Sequence, residues 1–289
     1  SLFGTILNYL VLGKRCYVLS KKLNVVTTGD LLSYRYYSPK AVRIVQAIVL
    51  LICITASMVA QFQASGIIFN VVFGLPTTWG VILGAGCAGL YVILGGFLAV
   101  AWTDLIQGII MIVGAFSVLI SCFINYGSLP NVNAQIAAQS SNLVTAIGGT
   151  TTTNLFLWIF IFAIGHFGYV PSFSRFFSAR KRSFLVKSLV VAALANMGFH
   201  LFGKLSGIYA IVNLPGIANP DYILPTLATR VLPPIFTGIL LAAIMGASMS
   251  TIDSLVLVLS GVCVRDILQK TFKKDYSEKK MLSISRVVT

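Results

Sequence analysis

The sequence predicts an all-α protein that crosses a membrane several times, and three observations predict it. The chain has 289 residues, of which 57% are hydrophobic and only 10% charged, against about 45–50% and about 25% in a soluble domain. The 131 residues from 44 to 174 carry a single charge, Asp104. A spanning helix needs roughly 20 apolar residues, so this stretch holds several. Only helices and closed barrels satisfy their backbone in lipid, and these runs are too long and too poor in alternation for barrel strands. The net charge of +14 comes from 21 Lys+Arg against 7 Asp+Glu. In so apolar a chain this excess reads as basic loops at a bilayer face, and no nucleic-acid partner is expected.

The apolar segments, in order, are 1–13, 44–73, 77–96, 98–124, 154–174, 188–213 and 233–264, all within one transmembrane domain over 1–289. Pro76 after Gly74 separates the second from the third, and the Gly95-Gly96 pair separates the third from the fourth. The link 125–153 is long and polar, with a threonine run at Thr150–Thr153 and no Lys or Arg. The chain opens inside one apolar run and stops as another begins near 281, the pattern of a piece of a longer protein.

Direction follows from the basic residues. Seven lie in 14–43, five in 175–187 and seven in 265–286, leaving Lys204 and Arg230. The chain crosses four times between Arg43 and Arg175 and twice between Lys187 and Arg265, so all three basic links fall on one side. Short loops rich in Lys and Arg stay in the cytoplasm. The links 125–153 and 214–232 then face outside. The stretch 265–280, with Lys270, Lys273, Lys274, Lys279 and Lys280, suits either anionic headgroups or a solvated helix.

Charges inside apolar segments are costly and mark functional candidates. Asp104 sits in GGFLAVAWTDLIQG (95–108), as a cation ligand or as a hydrogen-bonding anchor between helices. Asp253 sits in GASMSTIDSLVLVLSG (246–261), where Ser250, Asp253 and Ser254 share a helix face. Carboxylate and hydroxyl oxygens suit a hard cation, although hydroxyls also bond carbonyls one turn back and small residues also serve helix packing. Lys204, in GFHLFGKLSGIYA (198–210), can snorkel, pair with an acid or meet an anionic solute. His200, one turn earlier, reads as a hydrogen-bonded core residue. His166 lies in FAIGHFGYVPSFSR (162–175), where Gly165, Gly168 and Pro171 predict a broken helix. In transporters such breaks lie at the midplane binding site. The five cysteines, Cys16, Cys53, Cys87, Cys122 and Cys263, read as small core residues. No nucleophile, base and oxyanion set is present, so no enzyme is expected; His166 with Asp104 is the one pair a membrane enzyme could use.

The stretches GGFLAVAWTDLIQGIIM (95–111) and GILLAAIMGASMSTIDSLVLVLSG (238–261) closely resemble two signatures of the sodium/solute symporter family. The resemblance runs through nearly the whole chain, and VAQFQASGIIF (59–69) and PTLATRVLPPIFTGILLAA (225–243) are most similar to the pantothenate and proline branches. It implies a LeuT-like inverted-repeat transporter core, represented here by about core helices 2 to 8 and the start of 9. It implies a sodium site whose eighth-helix half is Ala247, Ser250 and Thr251, the other half belonging to a first helix outside this chain. Some members hold a second sodium, which here would use Asp104 with Ser250, Asp253 and Ser254. The substrate stretch would be Phe162, Gly165, His166, Phe167 and Tyr169, with His166 where proline transporters carry an aromatic residue.

The function implied is sodium-coupled symport of a small organic solute, a carboxylate such as pantothenate or an amino acid, by alternating access in a multi-pass cell-membrane protein. Sodium is the coupling ion and no other cofactor is called for. A channel or a non-transporting receptor of the same fold is the alternative, distinguished by conductance without coupling or by binding without flux.

Overall fold

The computed structural model describes residues 2–37, 39–139, 143, 145, 150–217, 219–272 and 276–288. Among these residues every regular element is helical. A first helix runs as α1 (Leu2–Leu7), a π-helical stretch (Asn8–Gly13) and α2 (Lys14–Leu23). There follow α3 (Thr28–Tyr36), α4 (Pro39–Phe73), α5 (Thr77–Tyr126), α6 (Leu129–Gln139), α7 (Thr152–His166), α8 (Val170–Ser178) and α9 (Arg182–Asn213). The chain ends with α10 (Ile223–Val231), α11 (Pro234–Gly261), a π-helical continuation (Val262–Thr271) and α12 (Glu278–Val288). Among the described residues five stretches are long and apolar enough to cross a membrane: Lys40–Phe73, Val92–Tyr126, Thr152–Ser178, Arg182–Asn213 and Pro234–Thr271, with Thr77–Leu90 a shorter apolar helix.

The 50 residues of α5 are two helices joined at Gly96, whose φ of 59° and ψ of −156° are not helical. Packing against α11 shows that the chain reverses there. Gly84 lies against Met245, and Gln107 lies against Gly246. In one straight helix residues 84 and 107 would stand about 35 Å apart, yet both meet the same turn of α11. Ala88, Val92 and Val100 share a buried cluster with Ile252 and Val256, while Gly114 lies against Leu240 and Ala243. So α5 runs alongside α11 up to Gly96 and back against it afterwards. The Gly96 conformation is essentially restricted to glycine, and forcing another residue into such a region costs about 1–3 kcal/mol. Gly96→Ala is expected to lower the thermal midpoint of the detergent-purified full-length protein; an unchanged midpoint would show that the reversal tolerates a side chain.

The three basic links meet at one end. Arg43 Nη1 donates to Asp30 Oδ1 at 2.8 Å and to Asp266 Oδ1 at 2.9 Å, and Arg265 Nε reaches Asp30 Oδ2 at 3.0 Å. Thr27 caps α3 in a reciprocal capping box with Asp30, and its hydroxyl donates to Asp266 Oδ1 at 2.6 Å. Tyr17 Oη donates to the Arg180 carbonyl at 3.3 Å, tying 14–43 to 175–187. The opposite end gathers the other two links. Tyr209 Oη donates to the Gly127 carbonyl at 3.0 Å and Asn125 Nδ2 to the Val231 carbonyl at 3.3 Å. Val132 and Ile136 of α6 pack there with Cys122, Tyr209 and Leu227.

Several expectations need correction. The links 14–43 and 125–153 are not plain connections: they contain α2 and α3, and α6. The helix entering the second basic link continues to Ser178, so Arg175 belongs to α8 rather than to the link. Cys16 and Cys122 are buried, but Cys53 and Cys87 are exposed on α4 and α5, because a helix apolar all round does not reveal from its sequence which face its own chain covers. Of the lysines placed along headgroups, Lys273 and Lys274 lie outside the described residues.

Candidate functional site

The helix break before Pro171 is present. α7 ends at His166, Gly168 takes a φ of 88°, and α8 begins with Pro171 in its first turn. Gly168 is needed because a left-handed residue lets the chain re-enter a helix two residues later. The five substrate-stretch residues are spread around this break. Phe162 stacks on Trp158, with ring centroids 5.7 Å apart, and lines a cavity of about 690 Å³ between α1, α7 and α9. Asn196, His200 and Lys204 supply polar groups to that cavity. His166 lies against Gly4 of α1 and stacks on Tyr169 at 6.5 Å. Phe167 and Tyr169 are partly exposed at the break, and Gly165 is exposed on α7.

On α11 three oxygens converge. Ser250 Oγ and Thr251 Oγ1 each donate to the Ala247 carbonyl, both at 3.0 Å. With their protons turned inward to one carbonyl, the hydroxyl lone pairs remain free to meet a cation. The Ala247 carbonyl already accepts from both side chains, so the oxygens left to face a cation in this arrangement are the two neutral hydroxyls. Small residues let the partner helix come close, since Gln107 of α5 packs directly on Gly246.

The acid-containing group is assembled differently from the expectation. Asp104 and Ser254 do meet, but through Arg175. Its Nη2 donates to Asp104 Oδ2 at 2.9 Å and to Ser254 Oγ at 3.0 Å. These residues line a cavity of about 480 Å³ with Phe97, Pro171, Ser174 and Ser178. Asp253 is fully buried, at 0% exposure, and is not among the residues lining that cavity. On a helix, positions 253 and 254 point about 100° apart, and α11 presents only the second to Arg175. Lys204 lies in the other cavity, so a charge pair with an acid on α11 does not describe its position. Arg175 is the residue of this polar group that the sequence reading missed. Its signal was its place four residues beyond Pro171, one helical turn into α8 rather than in a loop.

A broken helix, oxygens converging inside an apolar span, and an ion pair between two spans define a polytopic membrane protein with an intramembrane polar centre. A profile of the "Sodium:solute symporter family" matches residues 1–289, and the chain belongs to that family. It is 32% identical over 288 residues to a sodium/pantothenate symporter of Haemophilus influenzae, covering 96% of this chain and 58% of the relative. It is 28% identical over 296 residues to the high-affinity proline transporter PutP of Bacillus subtilis, covering 98% and 61%. The chain thus spans about three fifths of the curated relatives it matches. Among solved structures, a Na+-coupled sialic acid symporter in a substrate-bound outward-open state superposes with a TM-score of 0.79 at 20% identity, covering 99% of this chain and 64% of that one. The fold is the LeuT-like fold of that symporter.

Proposed function

We propose that the protein containing this chain is a sodium-coupled symporter that imports a small organic solute by alternating access. The observation that carries this reading is the family match over residues 1–289, and Ser250 and Thr251, one turn from Ala247 on a helix that also carries Asp253 and Ser254, supply the oxygens it calls for. Sodium at these oxygens stabilises the outward-open state. The solute then binds near the α7–α8 break, and rocking of the bundle releases both. The membrane potential contributes about 2.3 kcal/mol per charge per 100 mV. The names of the relatives favour pantothenate or proline as solute. A carboxylate group on the solute fits Lys204, the cation of the α1/α7/α9 cavity. The excess of basic residues in the links at the end carrying Arg43, Arg180 and Arg265 supports a cytoplasmic face there. No bond is made or broken in this cycle, and the reading is of a transporter rather than an enzyme.

The test is uptake of radiolabelled pantothenate and proline into proteoliposomes of the full-length protein. An inward sodium gradient is expected to accumulate one of them above equilibrium, and collapse of the gradient to abolish accumulation. Flux indifferent to sodium would support a channel; solute binding with no flux would support a receptor. Asp104→Asn is expected to raise the half-saturating sodium concentration several-fold, as follows when a charged ligand becomes neutral. An unchanged value would make Asp104 a structural anchor.

A further inference from the structure

We infer that Arg175 is a tethered cation that shares the Asp104–Ser254 position with a mobile sodium ion, a role that rests on the symport reading above. One nitrogen, Nη2, sits between Asp104 Oδ2 at 2.9 Å and Ser254 Oγ at 3.0 Å. This is where a small cation would bridge α5 and α11. Asp104 is the single charge in 131 residues, and a bare carboxylate at that depth is costly. The guanidinium removes that cost when no ion is present. Two features suit a pair that opens rather than a fixed one. The Arg175 side chain is 52% exposed, and the cavity beside it, lined by Ser174 and Ser178 of its own helix, gives it room to withdraw. Asp104 Oδ1, meanwhile, is buried and accepts no hydrogen bond among the described residues. The pair therefore satisfies one carboxylate oxygen and leaves the second for another ligand.

This arrangement solves a problem of the transport cycle. After release of its cargo the empty carrier must reorient, and Asp104 would cross that step uncovered. Arg175 swings onto Asp104 and Ser254 for the return and leaves them when sodium arrives. Sodium and the guanidinium carry the same charge and compete for the same two oxygens, so each weakens the other.

Equilibrium binding of radioactive sodium to the full-length protein tests the inference directly. Arg175→Gln is expected to lower the half-saturating sodium concentration by about fivefold, the upper end for a partly exposed ion pair. Arg175→Lys, which keeps the charge on a shorter reach, is expected to fall between that variant and the wild type. In proteoliposomes Arg175→Gln is expected to slow net uptake, which needs return of the empty carrier, while sparing solute exchange, which does not. Added to Asp104→Asn, the Arg175→Gln change is expected to have no further effect on sodium binding. Wild-type sodium binding with no shift in either Arg175 variant would overturn the inference and leave the symport reading intact. Equal loss of exchange and net uptake would also overturn it. Absence of sodium binding in the wild type would instead remove the symport reading.

Discussion

Thr251→Val combined with Ser250→Ala is expected to raise the half-saturating sodium concentration for uptake by roughly 100-fold or more. Loss of groups that merely orient metal ligands already costs 10–100-fold in affinity, and these hydroxyls are read as ligands themselves. The substitutions are gentle on the fold. Among the described residues each hydroxyl bonds the carbonyl of Ala247 one turn back on its own helix, so removing it orphans no distant group there. Valine keeps the shape of threonine, and neither position is among the buried residues of α11, which include Leu240, Ile252, Leu255 and Val256. A fall in sodium affinity without a fall in thermal midpoint therefore reports on the ion site. If the double variant transports at unaltered sodium concentration, the oxygens of α11 serve packing and not the ion.

Arg43→Ala is expected to destabilise the protein by about 3–5 kcal/mol, the cost of removing one partner from a buried ion pair. Asp266 is 1% exposed and would lose the Arg43 guanidinium, while Asp30 would keep Arg265. Gly29 packs directly against the Asp266 carboxylate, leaving little room for water to replace the guanidinium. Thermal unfolding of the purified protein measures this, and a loss under about 1 kcal/mol would mean that the cluster is effectively solvated. The same cluster sets a pH response. Burial works to raise the Asp30 carboxyl, but the Arg43 hydrogen bond and the charge of Arg265 outweigh it and hold the group below the usual carboxylate range. A depressed carboxyl stabilises the fold fully above its unfolded value of about 3.9 and loses that contribution as pH falls toward its lower native value. This contribution of Asp30 is thus constant from neutral pH to mild acid.

The architecture was legible where its physics is local or arithmetical. Nineteen of the 21 basic residues lie in three links, and counting crossings between them placed those links at one end, where Arg43, Asp266 and Arg180 are found together. The Gly95-Gly96 pair and the Gly168–Pro171 stretch announced breaks because few other residues permit those backbone angles. The Ala247, Ser250 and Thr251 set came from the resemblance to the symporter family, while one-turn spacing by itself pointed to Ser250, Asp253 and Ser254. Contacts between distant segments were not readable. Asp30 and Asp266 each lie in a basic link, and nothing local says that Arg43 joins them. Arg175 was counted as one more loop charge, although it extends from a helical turn back to Asp104 across 71 positions. Asp253 shared a predicted face with Ser250 and Ser254, yet two adjacent residues on a helix diverge enough for only one to enter the cavity.

The central claim is that sodium bound by the α11 oxygens and solute bound near the α7–α8 break stabilise the same state. Linkage makes that claim exact: the factor by which solute tightens sodium binding must equal the factor by which sodium tightens solute binding. The direct measurement is equilibrium binding of radioactive sodium to the full-length protein, with and without saturating pantothenate or proline, alongside the reciprocal titration. The account predicts equal factors well above one for the transported solute, both abolished by Thr251→Val with Ser250→Ala. Sodium binding that is indifferent to both solutes while either solute still binds would contradict it.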